Sequence, residues 1–131
     1  MTYLVDSDYL ADYLKGYKAA TTLLERLFPE GIALSIITFA EIYEGIYYGH
    51  NQQAHEQGFR TFLRTTTILG ITRPVAKQFA RICGDLRAKG QLILDPDLYI
   101  AATALQHKLT LVTRNMKDYE RIPNLNIYKA S

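Results

Sequence analysis

The stretch YLVDSDYLADYLKG at residues 3–16 begins with three apolar side chains, reaches Asp6 and then changes to helical spacing. The leucine and tyrosine positions that follow fall on one face of a helix over residues 7–15, which Ser7 can cap and Gly16 can end. The pattern predicts a buried strand followed directly by a helix. A functional aspartate at the mouth of a sheet and a surface turn residue are both compatible with Asp6.

Strands and helices alternate along the rest of the chain. Further helices are predicted over residues 19–28, 38–49, 52–64, 74–90, 95–106 and 115–120. Further strands are predicted over residues 32–37, 66–71, 109–113 and 126–128. Right-handed crossovers between parallel strands place helices on both faces of a sheet. We therefore expect an α/β fold, a three-layer α/β/α sandwich around a parallel sheet of four or five strands, formed by a single domain over residues 1–131.

The composition suits a single cytoplasmic domain. With 131 residues and 48% hydrophobic side chains, the chain can build one core without disulfides. The one cysteine, Cys83, lies in an apolar helical pattern and is expected to be a buried thiol in a reducing compartment. The N-terminus lacks the features of a secretion signal, and no stretch reaches the roughly 18 apolar residues that a membrane span needs, so neither is expected.

Charge is distributed unevenly along the sequence. The net charge is +2, but residues 1–56 carry −5, residues 57–94 carry +6 and residues 95–131 carry +1. Such polarity suits a fold that gathers carboxylates at one point and presents cations to a polyanion beside it. Chance variation between helix surfaces explains the same distribution equally well. Candidate contacts to a nucleic-acid backbone in the basic segment are Arg60, Arg64, Arg73, Lys77 and Arg81.

Five polar residues are expected near the carboxyl ends of predicted strands, where ligands collect in parallel α/β folds. They are Asp6, Glu41, Asp97, Thr113 and Asn115.

Three of these residues also have a purely structural explanation. Glu41 follows Thr38 at the spacing of a capping box, in which it does no more than reach back to the helix start. Asp97 follows Asp95, a candidate helix cap, and can merely complement the helix dipole. Asn115 can cap the short helical turn that it precedes.

Three carboxylates at one sheet edge need a cation or a proton, because clustered like charges repel. Oxygen ligands without a histidine or cysteine set favour Mg²⁺ or Mn²⁺. Such an ion, held by Asp6, Glu41 and Asp97, can activate a water against a phosphodiester, which is nuclease chemistry. The histidines have no ligand spacing and are expected at the surface: His50, His55 and His107.

The DSD sequence at residues 6–8 also resembles the start of haloacid-dehalogenase-type phosphatases, in which Asp6 would be the nucleophile. That family has a threonine where this chain has Leu10, and the chain is short for that fold. The phosphatase is therefore the weaker alternative.

Four segments together resemble PIN-domain proteins of the VapC toxin type, and the likeness extends over nearly the whole chain. The segments are LVDSD at 4–8, SIITFAEIYEG at 35–45, DPDLYIAATAL at 95–105 and LVTRNMKDY at 111–119. The acidic residues of the first three family motifs correspond to Asp6, Glu41 and Asp97. In the fourth, Asn115 stands where many PIN domains have an aspartate, and Tyr119 replaces a phenylalanine.

The resemblance implies a PIN-like fold and an Mg²⁺- or Mn²⁺-dependent endoribonuclease, the toxin of a type II toxin–antitoxin pair. It also implies a VapB-like antitoxin and a homodimer or larger toxin–antitoxin complex. Asp6 and Asp97 would bind the metal, and Glu41 would complete the site and help to orient or deprotonate the attacking water. Thr113 and Asn115 would support this arrangement. Because of Asn115, a PIN module that binds RNA or antitoxin without cleaving is the alternative. Candidate residues for a dimer or antitoxin interface, or for a partly buried core, are Tyr43, Tyr47 and Tyr48.

Overall fold

The computed structural model describes residues 1–129 and confirms the predicted α/β architecture, with helices on both faces of a parallel sheet. The strands in this part of the chain are β1 (Tyr3–Val5), β2 (Ile32–Ser35), β3 (Thr67–Leu69) and β4 (Thr110–Val112). The α-helices are α1 (Ser7–Leu14), α2 (Lys18–Leu27), α3 (Ile36–Tyr47), α4 (Gln52–Leu63), α5 (Arg73–Ala88), α6 (Asp95–His107) and α7 (Met116–Tyr119). A single 3₁₀ turn, Phe28–Glu30, follows α2.

The strand order β3-β2-β1-β4 creates a topological switch point beside β1. The chain builds outward from β1 to β2 and β3, and then returns to the opposite side of β1 to form β4. All of these pairs are parallel, with Tyr3 aligned to Ile32 on one side and to Thr110 on the other. A crevice forms at the carboxyl ends of the strands where the direction of winding reverses. The ends of β1 and β4 therefore define the place where a ligand is expected.

Side chains alternate between the two faces of the sheet, as the two-residue period of a strand requires. Leu4 packs with helices α5 and α6, whereas Val5 packs with the helices on the opposite face. In β4, Leu111 and Val112 divide in the same way. Consecutive alanines allow α6 to lie against the sheet, and Ala101 and Ala102 are completely buried. Each face thus has its own apolar core, and the sheet is the middle layer of three.

The boundary between β2 and α3 lies earlier than the sequence pattern predicts. The strand was expected to continue to residue 37, but it ends at Ser35, whose hydroxyl accepts a hydrogen bond of 3.0 Å from the Ile37 amide. Ser35 is therefore the N-cap of α3, and Thr38 lies inside the helix. The capping-box explanation for Glu41 is wrong, because the expected cap residue, Thr38, is not at the helix start.

Three other expected helix starts are displaced by one residue. Asp6, rather than Ser7, caps α1 through its own carboxylate. Asp95 is already helical and the extended residue before it, Leu94, takes the cap position. Helix α5 begins at Arg73, one residue before the expected start, so Pro74 lies in its first turn as expected, and Thr72 caps the helix by accepting from the Val75 amide. The residue that caps each helix depends on backbone angles. The positions of capping residues and prolines in the sequence do not determine those angles.

Two further expectations need correction. The strand expected at residues 126–128 is reduced to a single parallel bridge between Leu111 and Ile127, so the sheet of residues 1–129 has four strands. Cys83 is only partly buried against the core, because it lies at the margin of the face of α5 that packs on α6. Within the described residues, no helix combines the length and apolar character required to cross a membrane.

Two substitutions test which residue caps α3. Ser35→Ala removes the acceptor for the Ile37 amide and is expected to lower the free energy of unfolding by about 1 kcal/mol. Thr38→Val should cost less, because the buried Thr38 hydroxyl has no hydrogen-bond partner in the described structure. Urea unfolding of both variants measures the difference. A larger loss for Thr38→Val would contradict the observed helix start.

Candidate active site

Asp6 is fixed at the end of β1 by hydrogen bonds to both of its carboxylate oxygens. Oδ1 accepts from the Ser7 amide at 2.8 Å, and Oδ2 accepts from the Thr113 hydroxyl at 2.8 Å. The Asp6 backbone amide also donates to the carbonyl of Val112 at 2.9 Å. Only 5% of Asp6 is exposed. The aspartate is therefore a buried group that joins the ends of two strands, and the surface-turn explanation does not hold.

Asp8 forms a second link between the same two strand ends, which the sequence did not single out. Its Oδ2 accepts from the Arg114 amide at 2.9 Å and lies 3.3 Å from the Thr113 hydroxyl, while its Oδ1 accepts from the Tyr9 amide at 2.6 Å. The available signals were its position three residues after a buried strand and its place in the DSD stretch at residues 6–8. Asp8 holds the segment after β4 against the start of α1.

Asp97 and Asn115 are brought together from two separate parts of the chain. The Asn115 side-chain amide donates to Asp97 Oδ2 at 3.4 Å and to Asp118 Oδ2 at 3.2 Å. Asn115 occupies the cap position of α7, but its side chain makes no capping hydrogen bond to the helix amides of the described chain. Its backbone amide instead donates to the Thr113 hydroxyl at 3.0 Å. The side chain of Asn115 therefore faces the acidic residues.

Glu41 approaches the same region from the second turn of α3. Its Oε1 is buried, and no donor in the described residues reaches it. The Ser7 side chain lies beside the Glu41 carboxylate and partly offsets the effect of burial on its pKa. The structure thus brings Ser7, which the sequence suggested only as a cap, to the acidic site. An unpartnered carboxylate oxygen in a protein interior calls for a proton, a water or a cation.

The acidic residues raise one another's pKa values, and burial does so more strongly. Burial, followed by the charge of Asp8, raises the pKa of Asp6 to about 6, against the hydrogen bond from Thr113. Burial is also the main cause of the raised pKa of Glu41 and of Asp97. The charge of Asp97 contributes to the shifts of both Asp6 and Glu41. These side chains are therefore close enough to form one electrostatic unit.

The described residues do not form a closed set of protein ligands for a metal ion. Across residues 1–129, no three aspartate, glutamate, histidine or cysteine side chains are close enough to hold one metal ion together. Mg²⁺ is commonly bound through one or two carboxylates and keeps several waters. The unpartnered Glu41 Oε1 and the raised carboxylate pKa values are consistent with such an ion. The histidines are exposed, as expected: His50, His55 and His107.

Comparisons with known proteins now identify the family. A family model described as PIN domain matches residues 3–125. The chain belongs to the PIN domain family. Ribonuclease VapC1 of Methanocaldococcus jannaschii is 36% identical over 124 residues, which cover 95% of this chain and 83% of that protein. The VapC-type resemblance seen in the sequence is therefore confirmed.

Solved structures agree with this PIN assignment. The crystal structure of VapBC2 from Rickettsia felis, bound to a DNA fragment from their promoter, superposes with a TM-score of 0.90 and 27% identity, covering all of both chains. FitAcB from Neisseria gonorrhoeae gives a TM-score of 0.86 and 29% identity, covering 98% of this chain and 97% of that one. The three-layer fold is thus that of VapC-type PIN proteins.

Tyr119 places a hydroxyl in this PIN domain's acidic site where the related motif ends in phenylalanine. The residue is completely buried, and its hydroxyl lies beside Asp97 and lowers the pKa of that carboxyl against the effect of burial, but it forms no hydrogen bond of full geometry among the described residues. Burial, followed by the negative charges of Asp6 and Asp97, raises the pKa of Tyr119. The hydroxyl therefore lies next to the carboxylates as an un-ionised group. Sequence reasoning noted the substitution but could not show where the hydroxyl points.

The raised pKa of Asp6 predicts a specific pH dependence of stability. In metal-free protein, Asp6 keeps its proton up to about pH 6, whereas the unfolded chain loses it near the ordinary value of 3.8. The folded state thus binds more protons between these values, and the Asp6 contribution to the free energy of unfolding falls by about 2 kcal/mol as pH rises from 4 to 6. Urea unfolding in EDTA, with wild type compared with Asp6→Asn, isolates this contribution. Asp85→Asn, at an exposed acid of α5, should retain the wild-type trend. A wild-type minus Asp6→Asn difference that rises over this range would contradict the raised pKa.

Removing the Tyr119 hydroxyl and removing its ring are expected to have opposite effects on the free energy of unfolding. Tyr119→Phe removes an unpartnered buried hydroxyl and should leave the free energy of unfolding equal or raise it by about 1 kcal/mol. Tyr119→Ala should lower it by about 3–5 kcal/mol, because the buried ring leaves a cavity. Thermal and urea unfolding of the two variants measure both effects. A loss of more than 1 kcal/mol in Tyr119→Phe would show that the hydroxyl has a stabilising partner.

Proposed function

We propose that this PIN domain is an Mg²⁺- or Mn²⁺-dependent endoribonuclease and the toxin of a VapBC-like type II toxin–antitoxin pair. The observation that carries the proposal is the electrostatic influence of Asp97 on both Asp6 and Glu41, beside the switch point of a PIN fold that matches VapBC structures. The relative from M. jannaschii is named as a ribonuclease. Family membership and fold give no support to the phosphatase alternative.

The side chains of the site have separable roles in this proposal. Asp6, held through both oxygens, and Asp97, which accepts from Asn115, present carboxylates to the cation. A bound Mg²⁺ or Mn²⁺ supplies positive charge to the phosphodiester and lowers the pKa of an attacking water. In this proposal Glu41 orients that water and accepts its proton, and the buried, unpartnered Oε1 supports the assignment. The raised pKa of Glu41 suits a general base, since a base is most effective when its pKa approaches the working pH.

Asn115 supports this arrangement rather than weakening it. An asparagine keeps one oxygen but adds a donor, and here the donor is directed at Asp97 and Asp118. Asn115 thus reduces the carboxylate repulsion that a further aspartate would add. The inactive-module alternative rests on the loss of an acid at this position. In the present proposal the amide has a positioning role, which its hydrogen bonds to Asp97 and Asp118 support.

The protein partner in this proposal is a VapB-like antitoxin. The structures that superpose well include VapBC2 from R. felis and FitAcB from N. gonorrhoeae. A largely apolar groove of about 600 Å³ between α1 and α3 opens beside the acidic site and includes Glu41, Ile42 and Ile46 in its lining. It suits an apolar segment of the antitoxin that would cover the site.

Homodimerisation also belongs to the proposal. At the end of α3, 58% of Tyr47 and 89% of Tyr48 are exposed, as suits an interface with a second copy. Tyr43, by contrast, is partly buried and donates to Glu56 at 2.9 Å, so its role is structural.

A cleavage assay on total RNA tests the nuclease. Protein freed of any antitoxin should cut RNA in Mg²⁺ or Mn²⁺ and be inactive in EDTA. Asp6→Asn, Glu41→Gln and Asp97→Asn should each lower the cleavage rate by about 100-fold or more, because each removes a charge from the reacting centre. The rate of fragment formation is the measurement.

The matched control is Asp85→Asn, which removes one exposed carboxylate of α5 and should cleave like wild type. Unfolding curves for all variants confirm that they are folded. Equal cleavage by wild type and the three site variants, or full activity in EDTA, would refute the proposed site.

A further inference from the structure

A second cleft lies on the other side of the acidic site, and its lining is cationic. The cleft has a volume of about 650 Å³ and runs between α2 and the segments that follow β1 and β4. Its polar lining consists of Tyr9, Lys18, Thr22, Arg26 and Arg114. The groove beside Glu41, in contrast, contains the acidic side chains of Asp8 and Glu41. The two clefts therefore differ in the chemistry that they offer.

One wall of the cleft is a single face of α2. Lys18, Thr22 and Arg26 are spaced four residues apart, so their side chains project from successive turns on the same side of the helix. The distance along the helix axis from the first to the last is about 12 Å. Lys18 and Arg26 are exposed, and neither takes part in the ion pairs found in residues 1–129. Their charges are therefore available to an external anion.

The inner end of the cleft is joined directly to the acidic site. The guanidinium of Arg114 lies over the ring of Tyr9, 4.3 Å from its centroid, and forms an ion pair with Asp12. The Arg114 backbone amide donates to Asp8 at 2.9 Å, and the preceding residue, Thr113, holds Asp6. Arg114 is thus fixed in orientation at the boundary between the cationic cleft and the carboxylates.

The cationic cleft lies beside carboxylates that would otherwise repel the phosphates of a nucleic acid. A cluster of carboxylates repels phosphates, so a polyanion must gain its binding energy from cations that lie next to the site. The basic segment noted in the sequence does not supply them here, because none of its five candidate cations lines this cleft.

We propose that the cleft formed by Lys18, Thr22, Arg26, Tyr9 and Arg114 binds the phosphate backbone of single-stranded RNA on one side of the scissile bond. The proposal rests on the proposed ribonuclease function and assigns the substrate path of that site. Lys18 and Arg26 contact successive parts of the backbone, and Arg114 directs the strand toward Asp6. The contacts are to phosphates, so binding through the cleft is independent of base sequence.

The test is the salt dependence of RNA binding by a pair of variants. Lys18→Gln/Arg26→Gln is compared with Arg87→Gln/Lys89→Gln, which removes the same charge from exposed positions at the end of α5. Both are made in an Asp97→Asn background so that the RNA is not consumed. The dissociation constant for a fluorescent single-stranded RNA is measured by anisotropy at several NaCl concentrations.

We expect the cleft pair to bind more weakly and to reduce the slope of log K against log[NaCl] by about 1.4, since each lost phosphate contact on a single strand contributes about 0.7. The α5 pair, Arg87→Gln/Lys89→Gln, should keep the parent slope, and RNAs of different sequence should be affected equally. Unfolding curves should be unchanged, because the substituted side chains are exposed. Equal slopes for the two pairs, or a parent protein that does not bind RNA, would overturn the proposal.

Cleavage by the corresponding proteins with Asp97 intact separates this inference from the nuclease assignment. If RNA binds through the cleft but is not cleaved, the proposed nuclease activity is contradicted and the proposed RNA-binding role of the cleft is retained. Cleavage with an unchanged salt slope in the cleft pair contradicts the cleft alone.

Discussion

The hydrogen bond from the Thr113 hydroxyl to the Asp6 carboxylate is the constraint on which the candidate site depends. It connects the carboxyl ends of β1 and β4, two strands that are far apart in sequence and adjacent in the sheet. The same hydroxyl accepts from the Asn115 amide, so one side chain orients both the first acidic residue and the segment that meets Asp97. Asp8 reinforces the junction through the Arg114 amide. Strand order, rather than any local motif, makes this junction possible.

Burying polar groups at the acidic site costs free energy of folding, and apolar packing in the two cores offsets this cost. Asp6 is buried almost completely, and Glu41 Oε1 and the Tyr119 hydroxyl lack partners in the described residues. Buried polar groups of this kind destabilise a fold unless a ligand or water satisfies them. Apolar packing on both faces of the sheet holds the helices that carry them in place. Unsatisfied groups concentrated at one sheet edge are the feature expected of a binding site rather than of a structural core.

The net charge of each sequence segment does not predict where the cationic surface lies in the folded protein. The sequence contains a basic segment over residues 57–94, yet the cationic cleft beside the acids is built by Lys18 and Arg26, from a region whose net charge is negative. Two of the few cations of residues 1–56 project from one face of α2 and together line a single cleft. Net charge per segment did not locate this surface.

The sequence by itself determined the layers of the fold and most of the acidic site. Alternating strands and helices predicted a parallel sheet with two covered faces, and the positions of Asp6, Glu41 and Asp97 after strands placed them at one edge. Only the tertiary structure decided that Ser35 caps α3, that Asp8 and Ser7 join the site, and that the Tyr119 hydroxyl lies beside the carboxylates. Strand and helix periodicity depends on neighbours along the chain, whereas caps, hydrogen-bond partners and burial depend on residues that folding brings together from distant positions.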